Sequence, residues 1–154
     1  MNVERFSLDA NVLFYSIDSG DAARHRQAIE IIERAALEHD CIIPLQAYAE
    51  FFAAATRKGK MTSADGGAQI ADWQTLFSTV YPTPRSLPQA IDAVAQHHLS
   101  FWDALLWSVA KDAGATVLLS EDFQDGRELG GVWFRNPFTT DYPFQPPPRG
   151  RPPA

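Results

Sequence analysis

The residues of this sequence best suited to chemistry are four carboxylates: Asp9 in FSLDANVL, Glu50 in PLQAYAEFF, Asp103 in SFWDALL and Asp122 in LLSEDFQDG. Asp125 follows closely on the last, and Asn11 stands two residues beyond Asp9. One acid achieves little alone, and several acids brought together repel one another and resist ionisation unless a cation offsets their charge. A carboxylate set without His or Cys suits a hard divalent ion, Mg²⁺ or Mn²⁺, which takes oxygen ligands, keeps several waters and commonly shares its shell with phosphate. The reaction open to such a set is hydrolysis of a phosphodiester, with the ion lowering the pKa of a water and stabilising the leaving oxygen. Asn11 is placed to orient that water or to hold a ligand carboxylate. The four histidines offer no zinc alternative: His97 and His98 are adjacent and point about 100° apart on a helix, and His25 and His39 flank a long helix.

Acids so far apart in sequence meet only if the fold gathers them. ERFSLD reads as a short strand ending at Asp9. A helix with Asp21 as its cap follows to about Glu38, its Ala28, Ile31, Ile32 and Ala35 at helical spacing. The run CII is a second strand, and Pro44 suits the first position of a helix reaching about Arg57 and carrying Glu50. Another helix is expected from about Ser63 to Phe77, then a strand in STVYPTP. Ser86 and Ser100 each open a helix, Ser86 with Gln89 as a capping box and Ser100 with Asp103. Gly114 stops the second of these before the strand TVLLS, which delivers Asp122, and GVWFRN is the last strand.

That order predicts an α/β domain: a three-layer α/β/α sandwich with a mainly parallel central sheet and right-handed crossovers. Ligands of such folds sit beyond the carboxyl ends of the strands, where all four acids fall. The domain is expected to span 1–140, followed by a flexible Pro-rich tail at 141–154.

Composition narrows the function. A chain of 154 residues with 45% apolar residues, four Trp and ten Phe suffices for one sizeable core. A net charge of −6 argues against a surface that grips nucleic acid all over, though not against a basic rim around an acidic site. The turn at Arg57, Lys58 and Lys60 is the candidate rim for an RNA backbone, set against the commoner fate of such a cluster as a solvated face. Tyr48 and Trp102 are candidates to stack on bases, with core packing the stronger expectation for Trp102. The single cysteine, Cys41, excludes an intramolecular disulfide and a thiolate metal cluster, and a cytoplasmic setting is expected. Neither a signal peptide nor the roughly 18 continuous apolar residues of a membrane span is present in the sequence.

Each acid also has a plainer role to weigh. Asp9 and Asp122 suit turns at strand ends, Glu50 suits an exposed helical surface, and Asp103 suits the capping box with Ser100. Taken together, LDANVL, the lone Glu50 after IIPLQAYAE, the aromatic-preceded acid in FWDALL, and LLSEDFQDG followed by GVWFRNPF run in order over residues 6–138. In that order and spacing the chain resembles the PIN-domain ribonucleases and, among them, the VapC-like toxins of bacterial toxin–antitoxin pairs. The resemblance implies that Asp9, Glu50, Asp103 and Asp122 form a metal-binding cluster supported by Asn11 or Ser120, with Asp125 auxiliary. It further implies an Mg²⁺- or Mn²⁺-dependent endoribonuclease, a small antitoxin that covers the site, and a homodimer built on the helices around residues 21–77. The tail has no place in the family pattern. Two other classes compete: a PIN-like binding module without turnover, and a phosphatase with an aspartyl nucleophile. The second needs an acid two residues after Asp9, where this chain has Asn11.

Overall fold

The computed structural model describes residues 3–145. Its elements follow in the order β1 (Arg5–Leu8), α1 (Ala10–Tyr15), α2 (Ala22–Glu38), β2 (Asp40–Pro44), α3 (Leu45–Arg57), α4 (Ser63–Leu76), β3 (Ser78–Val80), α5 (Ser86–His97), α6 (Phe101–Asp112), β4 (Val117–Leu119), β5 (Glu128–Leu129) and β6 (Val132–Arg135). Six strands form one sheet in the order β3-β2-β1-β4-β6-β5, parallel except for the β5–β6 pair. The mainly parallel sheet flanked by helices is the expected architecture. Its central strands are buried and apolar, with Phe6, Leu8, Ile43, Val117, Leu118, Leu119 and Phe134 almost wholly withdrawn from solvent. Such near-continuous apolar runs are what a sheet covered on both faces demands. No helix among the described residues is long and apolar enough to cross a membrane.

Helix starts follow their caps. Asp21 accepts from the Arg24 amide at 3.1 Å and starts α2, and Ser100 accepts from the Asp103 amide at 3.2 Å and starts α6. Pro44 is not the first helical residue: with ψ at 141° it closes β2, and α3 begins at Leu45. The capping box expected at Ser86 does not form either. Ser86 lies inside the first turn of α5, its hydroxyl accepting from the Thr83 amide at 2.9 Å. Gln89 instead accepts from the Ser108 hydroxyl at 2.9 Å. The Ser86 hydroxyl thus serves the turn before α5, while its carbonyl and the Gln89 side chain meet the Ser108 hydroxyl across the seam with α6.

The strand β5 has no counterpart in the sequence-based reading, because two residues are too few to show alternation. The turn that makes the hairpin is legible: Gly130 and Gly131 have φ of +56° and +86°, as a tight two-residue hairpin requires. Gly130 is doubly constrained, since a Cβ there would lie 3.0 Å from the Trp107 ring. Trp102 is 61% exposed and not in the core. The expected tail begins before the described residues end. Phe144 is buried against Phe6 and stacked on His39 at 4.2 Å, with the Arg34 guanidinium over its ring, so core contacts reach past residue 140. Residues 146–154 of that tail lie outside the described residues.

Candidate active site

From β1 the chain builds outward through β2 and β3 on one side, while β4 returns to the other side of β1. The β1/β4 edge is therefore the switch point at which ligands enter such sheets. Register pairs Leu8 with Leu119, so Asp9 and Ser120 emerge side by side, and the Asp9 amide donates to the Leu119 carbonyl at 3.1 Å.

Asp9 is only 3% exposed. Its Oδ1 accepts from the Ala10 amide and its Oδ2 from the Ser120 hydroxyl, both at 2.7 Å. Burial pushes its pKa up from 3.8 to about 7, against the pull of those two bonds and with help from the charges of Glu50 and Asp122. The Ser120 oxygen in turn accepts from Asn11 Nδ2 at 3.0 Å and from the Asp122 amide at 3.1 Å. A hydroxyl has two acceptor positions and one proton. Both acceptor positions are taken, so the proton is committed to Asp9. Asn11 completes the frame, Nδ2 donating to Asp122 Oδ2 at 3.1 Å and Oδ1 accepting from the Glu121 amide at 3.4 Å.

This hub predicts the effect of Ser120→Ala. Asp9 loses a donor while Asn11 and the Asp122 amide lose an acceptor, a loss expected to destabilise the fold by about 1–3 kcal/mol. Urea unfolding at pH 7 measures it; a midpoint equal to that of the native chain would refute the hub.

Glu50 comes to the same place from α3, an exposed residue whose carboxylate is partly withdrawn from solvent on the wall of the cleft. Its pKa is raised by burial, opposed by the bond from Gln46, and raised further by Asp103 and Asp122. Asp103, half-buried in the first turn of α6, is raised by burial, drawn down by its bond with Ser100, and raised by Asp122. Only half of the capping box is made there. The Asp103 amide donates to Ser100, while the Asp103 carboxylate makes no bond to the Ser100 amide. Asp9, Glu50 and Asp103 thus each feel the charge of neighbouring acids, and among the described residues none of the four forms a salt bridge.

Glu50, Asp103 and Asp122 line an open cleft of about 580 Å³ together with Asn11, Phe14, Tyr15, Asp18, Arg57 and Lys58, while the buried Asp9 does not line it. Lys60 is turned away, its ammonium paired with Asp18 at 3.1 Å. Asp125 is not brought to the cleft: its Oδ1 accepts from the Asn136 amide at 2.8 Å and shapes the loop before β5. Tyr48 is 1% exposed against Trp73 and offers no face to a base. Gln46 escaped the sequence reading; its Nε2 reaches Glu50 Oε1 at 3.3 Å and the Trp102 carbonyl at 2.9 Å, tying the Glu50 helix to the Asp103 helix. Its signal was the four-residue spacing to Glu50, a side-by-side pair on a helix.

Residues 7–124 match the family described as PIN domain. The chain belongs to the PIN domain family. The match contains all four acids, both residues of the supporting frame at Asn11 and Ser120, and the cleft wall at Arg57 and Lys58. No curated protein matches the sequence. Among solved structures, Mycobacterium tuberculosis VapC20, a Sarcin-Ricin loop cleaving toxin, shares the fold with a TM-score of 0.60 at 19% identity, over 73% of this chain and 86% of that one. VapBC2 from Rickettsia felis, solved bound to a DNA fragment from its promoter, aligns with a TM-score of 0.62 at 13% identity, over 86% and 98%. VapBC-1 from nontypeable Haemophilus influenzae gives 0.61 at 14% identity, over 88% and 99%. At these identities the likeness is one of fold.

The donor chemistry of this PIN domain fits a hard divalent cation. The acids gathered here are oxygen donors, Asp9, Glu50 and Asp103 are each raised by neighbouring acids, and no Lys or Arg pairs with the four among the described residues. Among the described residues no three acidic, His or Cys side chains are close enough to chelate one ion as they stand. An ion held here takes part of its shell from water, the usual condition of Mg²⁺.

Proposed function

We propose that the protein is an Mg²⁺- or Mn²⁺-dependent endoribonuclease acting at this cleft. The observation that carries the proposal is the arrival of four acids from four separate segments at one sheet edge, with no salt bridge to offset them. Asp9, Glu50, Asp103 and Asp122 would hold the ion between them, partly through its bound waters. When bound, the ion supplies Lewis acidity, easing ionisation of water and withdrawing charge from a phosphodiester. The protein's own part is positional. The Ser120 hydroxyl donates to one Asp9 oxygen and the Ala10 amide to the other, bonds that favour the ionised form a cation needs, and Asn11 fixes Asp122 from the side. Arg57 and Lys58 place positive charge farther along the wall, where a polyanion would lie.

Membership of the PIN family and the fold shared with VapC20 support a toxin role, and the fold shared with the VapBC complexes supports a small antitoxin as protein partner; a homodimeric assembly and a cytoplasmic setting are proposed with them. One nuclease domain with an appended Pro-rich tail is the organisation proposed. Single-stranded RNA oligonucleotides incubated with the protein in Mg²⁺ or Mn²⁺ are expected to be cut internally, and chelator is expected to stop cutting. RNA bound and released intact in the presence of the ions would reassign the protein as a binding module.

A further inference from the structure

We infer that Phe14, Arg57 and Lys58 form a nucleotide subsite for single-stranded RNA, with a base lying on the Phe14 ring and a phosphate beside the cleaved one held by the two cations. The inference rests on the ribonuclease reading above. It begins with the division of the cleft into an acidic end and a basic end. Glu50 and Arg57 both line the cleft from α3, and a spacing of seven residues puts them on one face about 10 Å apart along the axis. At that distance Arg57 does not offset the acids, and neither cation figures among the causes acting on Glu50. A phosphate at the acids leaves a neighbouring phosphate of the same strand to be met by positive charge.

The two cations differ from the others nearby in making no ion pair among the described residues. Arg57 makes no ion pair or side-chain hydrogen bond among the described residues, whereas Arg24 is engaged by Asp21 and Glu121 and Lys60 by Asp18. The Lys58 ammonium lies 4.6 Å from the centre of the Phe14 ring. An ammonium is strongly hydrated, so one resting on a ring face marks that face as reachable from water. Asp18, on the same wall, also feels Lys58, but its hydrogen bonds are to Gly20 and Lys60.

Phe14 is also the aromatic whose ring opens on the cleft, and a base would take the place of the Lys58 ammonium on its face as that ammonium turns to the phosphate. Tyr15 beside it donates to Glu121 at 2.7 Å, packs edge-on against Phe138 at 5.2 Å and carries the Arg24 guanidinium 5.7 Å from its ring centre. Phe14 is half-buried, has no polar atom to satisfy, and opens on the cleft. A flat ring gains about 1–3 kcal/mol from a stacked base and tolerates any base. The bases of a duplex are stacked on one another and have no free face, so the subsite selects unpaired RNA.

The test is equilibrium binding of a labelled single-stranded RNA to the full chain carrying Asp9→Asn in Mg²⁺, with the recovered RNA checked for length. Phe14→Leu is expected to weaken binding roughly 5- to 100-fold, corresponding to one lost stack, without altering the salt dependence. Phe14→Tyr is expected to restore binding and guards against a folding defect in the Leu variant. Arg57→Gln and Lys58→Gln are each expected to lower the slope of log K against log salt by about 0.7. A hairpin duplex is expected to bind Phe14→Leu as it binds the parent chain. Unchanged single-strand affinity in Phe14→Leu would overturn the stacking site, and unchanged salt slopes would overturn the phosphate contact. If either result came from a protein whose native form cuts RNA, the subsite would fall and the ribonuclease would stand; a chain that neither binds nor cuts RNA would remove both.

Discussion

Asp9→Asn is expected to lower metal-dependent RNA cleavage by roughly 10³-fold or more, because several kilocalories of charge stabilisation depend on the cation that this residue helps to hold, and each factor of ten corresponds to about 1.4 kcal/mol. The change is nearly isosteric, yet its chemistry is fully different. One amide oxygen can still accept from Ala10, but the amide nitrogen is a donor and faces the Ser120 hydroxyl, whose acceptor positions are already filled by Asn11 and the Asp122 amide. The variant therefore breaks one bond of the hub. It also removes a buried charge, and the two effects on stability oppose one another. Fold and activity are thus expected to separate, with near-native unfolding beside lost cleavage. Asp125→Asn provides the contrast: its carboxylate oxygen serves the Asn136 amide away from the cleft, and cleavage is expected to stay within about threefold, the small change usual away from a site. Single-turnover cleavage of an oligonucleotide by both variants decides the matter. An Asp9→Asn chain cutting within tenfold of the native rate would remove the acids from the mechanism.

How much of this site was legible in the sequence follows from where each part gets its specificity. The acids could be found because strand ends and helix first turns share an edge in a parallel sheet, and that rule needs only element order. Asp9 after FSL and Asp122 after TVLLS obey it directly. Ser120 entered only through family resemblance. Its role depends on a buried hydroxyl that meets Asp9, 111 residues earlier, and Asn11, 109 residues earlier, and no periodicity encodes such contacts. The basic turn shows the reverse limit. Arg57, Lys58 and Lys60 look alike in sequence, yet the bend after α3 directs Lys60 to Asp18 and leaves the other two facing the cleft. Trp102 misled because an aromatic on an apolar helix usually enters the core, while here Ala104, Leu106 and Trp107 occupy the buried face and Trp102 falls on the other. The strand β5 and the use made of Gln89, drawn to Ser108 and away from the Ser86 capping box, were set by tertiary partners, Val132 and Ser108, that local patterns do not reveal.

The remaining large effect is on stability, and its sign is unusual for a carboxylate. Folded Asp9 holds its proton up to about pH 7, whereas in the unfolded chain it ionises near 3.8. Between those values the native state binds more protons than the unfolded state, so the free energy of unfolding falls as pH rises. The loss is about 1.4 kcal/mol per pH unit, on the order of 4 kcal/mol across the window for Asp9 alone. Glu50 and Asp103 are raised as well and act in the same direction. Asp18 and Asp21 have lowered values and act oppositely, losing their contribution as pH falls toward the acid range, so measurements belong above pH 4.5. A divalent ion reverses the profile. Cations bind the ionised acids and only the folded chain gathers them, so the ion adds stability that grows with pH, about 2.7 kcal/mol at a hundred times its dissociation constant. Urea unfolding from pH 4.5 to 8.5 in chelator is therefore expected to show a midpoint that declines with pH, and Mg²⁺ or Mn²⁺ should raise it strongly at pH 8 and little at pH 5. In Asp9→Asn the decline should flatten. A metal-free profile that rises toward pH 8, or an equal effect of the ion at both ends, would mean that the acids meet as ordinary surface charges, and the cleft would lose the property that singles it out.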